Sequence, residues 1–346
     1  MNNEITTSMM YICLMIFVTG GTGLVGSHIL LKLSEEKIPF IALKRKNSSD
    51  DVCRNVFKNY NTENLFEKIE WVIGDVNDIT SLEDGMKNCT KLIHAAAIVS
   101  FHKEDNTLMN KINVEGTKNV MNVAASKGFK KVSYISSISA IGKKPNEIID
   151  ENCEFEYSRN EQNYSLTKHF AEQEVWRISQ EGLDVVILNP SVILGPGNWN
   201  KGSSQIFQKI HQGLKFYTEG STGYVDVRDV ASCCIKLLLS DIKNERFIIN
   251  SENLKFRSVF NLIADGFKKP KPSIKVTPFL KEFAWRMEAF RSFFSGKKAL
   301  ITKETTDTAM SNSLYSSKKL DNALGHKFIP IKKSIIDYCN WYLKEN

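Results

Sequence analysis

Tyr164 and Lys168 are four residues apart within Gln162 to Gln180, a stretch that reads as one long helix, so their side chains share a face. A phenol with its usual pKa near ~10 is a poor base at neutral pH. An ammonium beside it favours the phenolate and lowers that value. A tyrosine tuned in this way hands a proton to a carbonyl oxygen as it gains charge, or removes one from an alcohol. Ser137 follows the apolar run Lys131 to Ile135 and offers a hydroxyl to hold the same oxygen. Tyr-x-x-x-Lys alone also fits a surface pair on any helix. Its weight comes from what precedes it in the chain.

Upstream stands Thr19-Gly20-Gly21-Thr22-Gly23-Leu24-Val25-Gly26, between an apolar run from Met9 to Phe17 and the helix-like His28 to Leu33. A strand, a glycine-rich turn and a helix start form a pyrophosphate site: glycine lets the backbone come close, and the helix N-terminus presents unpaired N–H groups. The spacing is G-x-x-G-x-x-G rather than the general G-x-G-x-x-G. An oxidised nicotinamide held there would add a second positive charge near Tyr164, and Lys168 has the reach to bind ribose hydroxyls.

These groups need a scaffold. Pro39–Leu43, Ile69–Val76, Lys91–Ala97, Lys131–Ile135 and Asp184–Leu188 read as further buried strands, and Asn110–Lys127 as a helix between two of them. Alternating apolar strands and helices predict an α/β, doubly wound parallel sheet of the Rossmann type, with ligands beyond the strand C-termini. The second strand ends in Lys44-Arg45-Lys46, without an acid for adenosine ribose hydroxyls; Asp50 and Asp51 stand further into the loop. Lys44 and Arg45 therefore favour a 2′-phosphate, hence NADP(H) over NAD(H), although a solvated basic loop reads the same way. Beyond Ser191 the alternation fails. The expected division is 1–190 as the dinucleotide-binding domain and 191–346 as a smaller substrate domain, with part of 224–250 returning to the sheet.

With 346 residues, 42% of them hydrophobic and 25% charged, the chain has an ordinary globular composition and can bury a sizeable core. The net charge of +7 is dispersed, with no long basic run, so nucleic acid is not indicated as a partner. Seven scattered cysteines, without a C-x-x-C pair or a His/Cys cluster, argue for a reducing, cytoplasmic compartment and against a metal site. The apolar run Met9–Val18 is too short to span a bilayer and lacks the basic start of a signal peptide, so it reads as the first strand with a lead-in; Met1 and Met15 are both compatible starts.

With the serine, the Tyr–Lys pair and the glycine turn in this order, the chain resembles the extended short-chain dehydrogenase/reductase superfamily, in its NAD-dependent epimerase/dehydratase branch. The matching pieces are Thr19 to Gly26, Gly74-Asp75-Val76, His94-Ala95-Ala96-Ala97, Asn113-Val-Glu-Gly-Thr117, Ser136-Ser137, Tyr164-Ser-Leu-Thr-Lys168 and Asn189-Pro190-Ser191-Val192. The resemblance implies that Gly20, Gly23 and Gly26 cradle the pyrophosphate, with Thr19, Leu24 and Val25 completing the loop. It implies that Asp75 and Val76 lie against adenine, that Ala95, Ala96 and Ala97 line the cleft, and that Pro190, Ser191 and Val192 flank the nicotinamide. Ser137, Tyr164 and Lys168 would be the catalytic triad, with Asn113 shaping the site; Ser137 is preferred to Ser136 for its spacing to Gly142.

Departures from family subgroups narrow the substrate. Ile138-Ser139 stand where 4,6-dehydratases carry Asp-Glu, and Asn189 to Pro196 lacks the arginine and tyrosine usual in nucleotide-sugar epimerases. The pattern is closer to dihydroflavonol reductase and 3β-hydroxysteroid dehydrogenase relatives, as is the ending Leu324 to Pro330. The expected function is NADP(H)-dependent hydride transfer to or from a carbonyl or alcohol of a small apolar substrate. The alternatives are a nucleotide-sugar epimerase with tightly bound NAD and a non-catalytic NAD(P)-binding sensor. No stable membrane insertion is expected, and the family's homodimer of paired long helices is an option. Asp226, Arg228 and Asp229 read as an ion-paired strand end rather than substrate ligands. His28 reads as packing or surface, His94 as either core or cofactor-lining, Cys233-Cys234 as core, and the stripe Phe279–Phe294 as core packing, a lid or a membrane-facing helix.

Overall fold

The computed structural model describes residues 15–142, 147–157, 163–277 and 309–346. Its centre is a parallel sheet of seven strands: β1 (Ile16–Thr19), β2 (Phe40–Lys44), β3 (Trp71–Ile73), β4 (Lys91–His94), β5 (Lys131–Ile135), β6 (Asp184–Pro190) and, after an excursion, β9 (Glu245–Ile249). The spatial order is β9-β6-β5-β4-β1-β2-β3. The chain winds outward from β1 in both directions, so β1 lies between β2 and β4 and a crevice opens at their C-terminal ends.

Alternate residues in each strand enter opposite cores, as strand geometry requires. Ile16, Val18, Val186 and Leu188 face α1 (Leu24–Glu35) and α6 (Val227–Leu239). Phe17, Leu92, Val132, Tyr134, Val185 and Ile187 face α4 (Gly116–Ser126) and α5 (Asn163–Gln180). That parity puts Tyr134 on the face carrying Lys168. Pairing of β1 with β2 and β4 runs from Ile16; Met9 to Leu14 of the apolar run lie outside the described residues.

After β6 the chain forms β7 (Val192–Leu194) and β8 (Ser221–Asp226), then α6 against α1, then β9 beside β6, then β10 (Glu252–Lys255). β8 pairs with β7 in parallel and with β10 in antiparallel fashion. A separate apolar core of Phe207, Tyr224, Ile263, Ile335 and Tyr338 joins this sheet to α7 (Phe256–Gly266) and α8 (Ile331–Glu345). Asp226 caps α6 by accepting from the Arg228 backbone N–H at 2.8 Å, pairs with the Arg228 guanidinium at 2.7 Å and accepts from the Tyr338 hydroxyl at 2.7 Å. Asp229 bonds His326 Nε2 at 3.0 Å and the Ile329 N–H at 2.9 Å. These acids fasten the C-terminal segment. Cys233 and Cys234 are buried, and the stripe Phe279–Phe294 lies outside the described residues. Among the described residues no helix is long and apolar enough to cross a membrane.

Two histidines are sealed in the fold. His28 bonds the Leu24 carbonyl oxygen through Nδ1 at 2.8 Å. Burial pushes its pKa down to about 4, and that of His94 to about 3. Below the unfolded value near ~6.5 the unfolded chain takes up two protons that the folded chain refuses until those lower values. Stability contributed above pH ~6.5 is therefore lost on acidification, by about 2 kcal/mol per histidine between pH ~7 and ~5. Urea unfolding at the two pH values measures it, and His94→Gln is expected to halve the histidine share.

Candidate active site

The glycine turn is shaped by close backbone contacts. Gly20 has φ +76°, and a Cβ there would lie 2.5 Å from the Ala95 carbonyl carbon. At Gly26 a Cβ would lie 2.1 Å from the Gly20 carbonyl oxygen. Gly23 precedes α1 without capping it by a side chain, so the first N–H groups of the helix face the crevice uncapped. These residues fit a pyrophosphate: the backbone comes close, and unpaired donors point outward. Leu24 and Val25 begin the helix and pack against the C-terminal core.

Next to this turn, Arg45, Lys46, Asn47, Ile73, Gly74, Asp75, Asp78 and Ser81 line a cavity of about 540 Å³. Arg45 is exposed at its rim, whereas Lys44 is engaged. The loop after β2 folds back, so Lys44 Nζ meets Asp50 at 2.8 Å and lies 5.1 Å above the Trp71 ring. An acid that is six residues along the chain is thus adjacent in space. The expectation that Lys44 faces a phosphate changes accordingly: of the two residues, Arg45 lines the cavity. Asp75 Oδ1 accepts from the Asn77 backbone and side-chain N–H groups at 2.9 and 3.1 Å. Val76 is buried, and Gly116 passes so close that a Cβ would lie 2.7 Å from Val76 Cγ2.

At the other end, the Tyr164 phenol lies beside the Ser137 hydroxyl. Ser137 Oγ accepts from the Ser139 N–H at 3.1 Å and its hydroxyl at 2.9 Å, which caps the turn Ile138–Ala140. Ser136, one residue earlier and on the opposite side of the strand, donates to Glu172 Oε2 at 2.6 Å. Burial pushes the Tyr164 phenol up to about 12, opposed by the neighbouring Ser137 hydroxyl. The expected lowering by Lys168 is absent from the protein alone. Lys168 Nζ donates instead to the Tyr134 hydroxyl at 2.8 Å and the Ile135 carbonyl at 2.9 Å, and burial pulls its own pKa down to about 7. A helix face shared at i and i+4 leaves the long lysine stem free to turn toward β5.

Asn113 sits in a π-helical turn, Asn110–Glu115, that widens the start of α4. It grips the loop after β4, with Ile98 N–H donating to it at 2.8 Å and its amide donating to the Ile98 carbonyl at 2.9 Å and Thr167 Oγ1 at 3.1 Å. That loop continues from Ala95, Ala96 and Ala97 to Phe101, whose ring meets Tyr164 edge-on at 6.0 Å. Pro190 and Ser191 are buried; the Ser191 hydroxyl donates to the Ile249 carbonyl at 3.3 Å, and partly buried Val192 begins β7.

Four residues of the site went unread in the sequence. Glu172, 2% exposed, accepts from Ser136 and Asn189 and pairs with Arg246 at 3.2 Å. It follows Lys168 by four residues, a spacing that could have flagged it. Arg246 arrives from β9 and Phe101 from a loop, where no local signal existed. Tyr134 looked like one more strand apolar.

Residues 16–250 match the family model "NAD dependent epimerase/dehydratase family". A protein named as a dihydroflavonol 4-reductase from Synechocystis is 29% identical over 336 residues, with 94% of each chain covered. Cinnamoyl-CoA reductase 1 from Petunia hybrida is 28% identical over 327 residues, covering 91% of this chain and 94% of its own. The crystal structure of gox2253 superimposes with a TM-score of 0.79 at 28% identity, over 96% of this chain and 98% of that one.

Proposed function

Because the chain belongs to the NAD-dependent epimerase/dehydratase family, we propose that it is an NADP(H)-dependent reductase of small apolar carbonyl compounds, or the dehydrogenase of the matching alcohols. It is an enzyme of the extended short-chain dehydrogenase/reductase type and uses a nicotinamide dinucleotide. The observation that carries the reading is the Tyr164 phenol set beside the Ser137 hydroxyl, at the same sheet edge as the glycine turn.

Gly20, Gly23 and Gly26 would hold the pyrophosphate, with Arg45 toward a 2′-phosphate and Asp75 and Val76 toward the adenine. When bound, the cofactor supplies or accepts hydride. Ser137 fixes the substrate oxygen. Tyr164 gives that oxygen its proton in reduction, or takes it in oxidation. Lys168 supplies positive charge near the phenol, which favours phenolate, and Asn113 sets the loop that forms the near wall. Phe101 beside Tyr164 and Val99, 54% exposed on the same loop, support an apolar substrate. So do the reductase names of the relatives.

Titration of the purified protein with NADPH and NADH, followed by nicotinamide fluorescence, tests the cofactor. NADPH is expected to bind more tightly, and Arg45→Ala to weaken it about tenfold while leaving NADH unchanged, the scale of one charge-assisted hydrogen bond. Equal affinities would discard the 2′-phosphate reading. A screen of aromatic and aliphatic aldehydes and ketones with NADPH then tests the chemistry. Cofactor that copurifies and never exchanges, with activity only on nucleotide sugars, would replace the reductase by an epimerase.

A further inference from the structure

Tyr134, in the heart of the sheet, touches Lys168 by two different means. Its hydroxyl accepts from Lys168 Nζ at 2.8 Å, and its ring centroid lies 4.5 Å from the same nitrogen. Both residues are 1–2% exposed. The Ile135 carbonyl takes a second N–H of the ammonium.

Hydrogen-bond directions around the ring that stacks on Tyr134 are fixed by Thr117. The Thr117 hydroxyl donates to the Asn113 carbonyl at 2.6 Å, so its oxygen accepts from His94 Nε2 at 2.9 Å. His94 must therefore carry its proton on Nε2, which leaves Nδ1 to accept from the Thr19 hydroxyl at 2.6 Å. The Lys168 ammonium has only N–H groups to offer, so the Tyr134 hydroxyl oxygen is its acceptor. The β4–β5 register, with His94 opposite Tyr134, stacks the two rings at 5.5 Å and locks the arrangement.

We propose that Tyr134 is a positioning residue for Lys168: fixed in the sheet by its stacking on His94 and turned as an acceptor toward the ammonium, it keeps the lysine in its charged form and at its place beside the reaction site. The consequence for catalysis rests on the role proposed above for Lys168; the contact itself does not. Charged and titratable groups facing Lys168 are Glu172 on its own helix, Tyr134 on β5, and His94 on β4. Glu172 supports the ammonium from one side, and Tyr134 supplies the support from the other against the cost of burial.

The test reads Lys168 directly, without turnover. The full chain is labelled with isotopic lysine at Cε, and the Lys168 signal, assigned by its loss in Lys168→Met, is titrated by NMR. In Tyr134→Phe, which keeps the ring, the midpoint is expected to fall by about one pH unit, a tenfold loss of preference for the charged form. Tyr134→Met removes both the hydroxyl and the ring face and is expected to lower the midpoint at least as far. A folded Tyr134→Phe with an unmoved midpoint overturns the proposal. If Tyr134→Phe does not fold, Tyr134→Met decides by the same rule. A moved midpoint in a protein without reductase activity would leave this inference standing and remove the functional reading; turnover that depends on Tyr164 beside an unmoved midpoint would do the reverse.

Discussion

Tyr164→Phe is expected to lower kcat for NADPH-dependent carbonyl reduction by about a thousandfold while leaving NADPH affinity within about threefold, the range set by loss of a positioned general acid. The phenylalanine fills the same space against Phe101, and only the hydroxyl beside Ser137 is lost. Without it the substrate oxygen keeps one donor, Ser137, and has no group to give it a proton. In the protein alone, burial holds this phenol near 12, so it enters the reaction protonated, as an acid must. In the oxidative direction it must first lose that proton. The rate of alcohol oxidation is therefore expected to rise with pH through and beyond neutrality, helped by positive charge from Lys168 and from the oxidised nicotinamide. Steady-state rates followed by nicotinamide absorbance check both statements. Turnover of Tyr164→Phe within twofold of wild type would remove Tyr164 from the chemistry.

Gly26→Ala is expected to weaken NADPH binding by about a hundredfold or more and to lower the thermal midpoint, because the methyl group collides with backbone that has nowhere to go. Its Cβ would lie 2.1 Å from the Gly20 carbonyl oxygen and 2.8 Å from Gly21 Cα. The turn cannot retreat, since Gly20 already lies against the Ala95 carbonyl and holds a left-handed conformation at φ +76°. Opening the turn displaces the N–H groups of α1 from the phosphate position. Gly128→Ala is the control. Gly128 has φ +71° and open space around it, so alanine there costs only the backbone strain of about 1 kcal/mol and leaves the cofactor site intact. Fluorescence titration and thermal melts of the two variants separate the effects; a Gly26→Ala protein that binds NADPH within threefold of wild type would refute the phosphate assignment.

The parts of this protein legible in the chain are those written in local pattern. Apolar runs marked the strands of the parallel sheet, since strands covered on both faces are apolar throughout. Glycines at 20, 23 and 26 announced a tight turn, and the structure supplies the reason at two of them, since a Cβ at Gly20 or Gly26 would lie 2.5 or 2.1 Å from backbone atoms. The four-residue spacing of Tyr164 and Lys168 put both on one helix face, and Glu172 continues that face one turn further.

What a side chain meets across the sheet was decided only in three dimensions. Ser136 and Ser137 are neighbours in sequence, yet strand alternation sends one to Glu172 and the other to Tyr164. Lys44 and Asp50 are separated by a loop whose course alone brings them together. Arg246 reaches Glu172, 74 residues away in the chain, because β9 returns to the sheet beside β6. Tyr134 is an apolar-looking strand residue until the β4–β5 register sets it against His94 and the lysine of α5 lands on its hydroxyl. Periodicity is a property of a short stretch of chain, and it specified the elements and the residues they present. Register and sheet order arise from packing between distant stretches, and they chose the partners that hold the charge at Lys168.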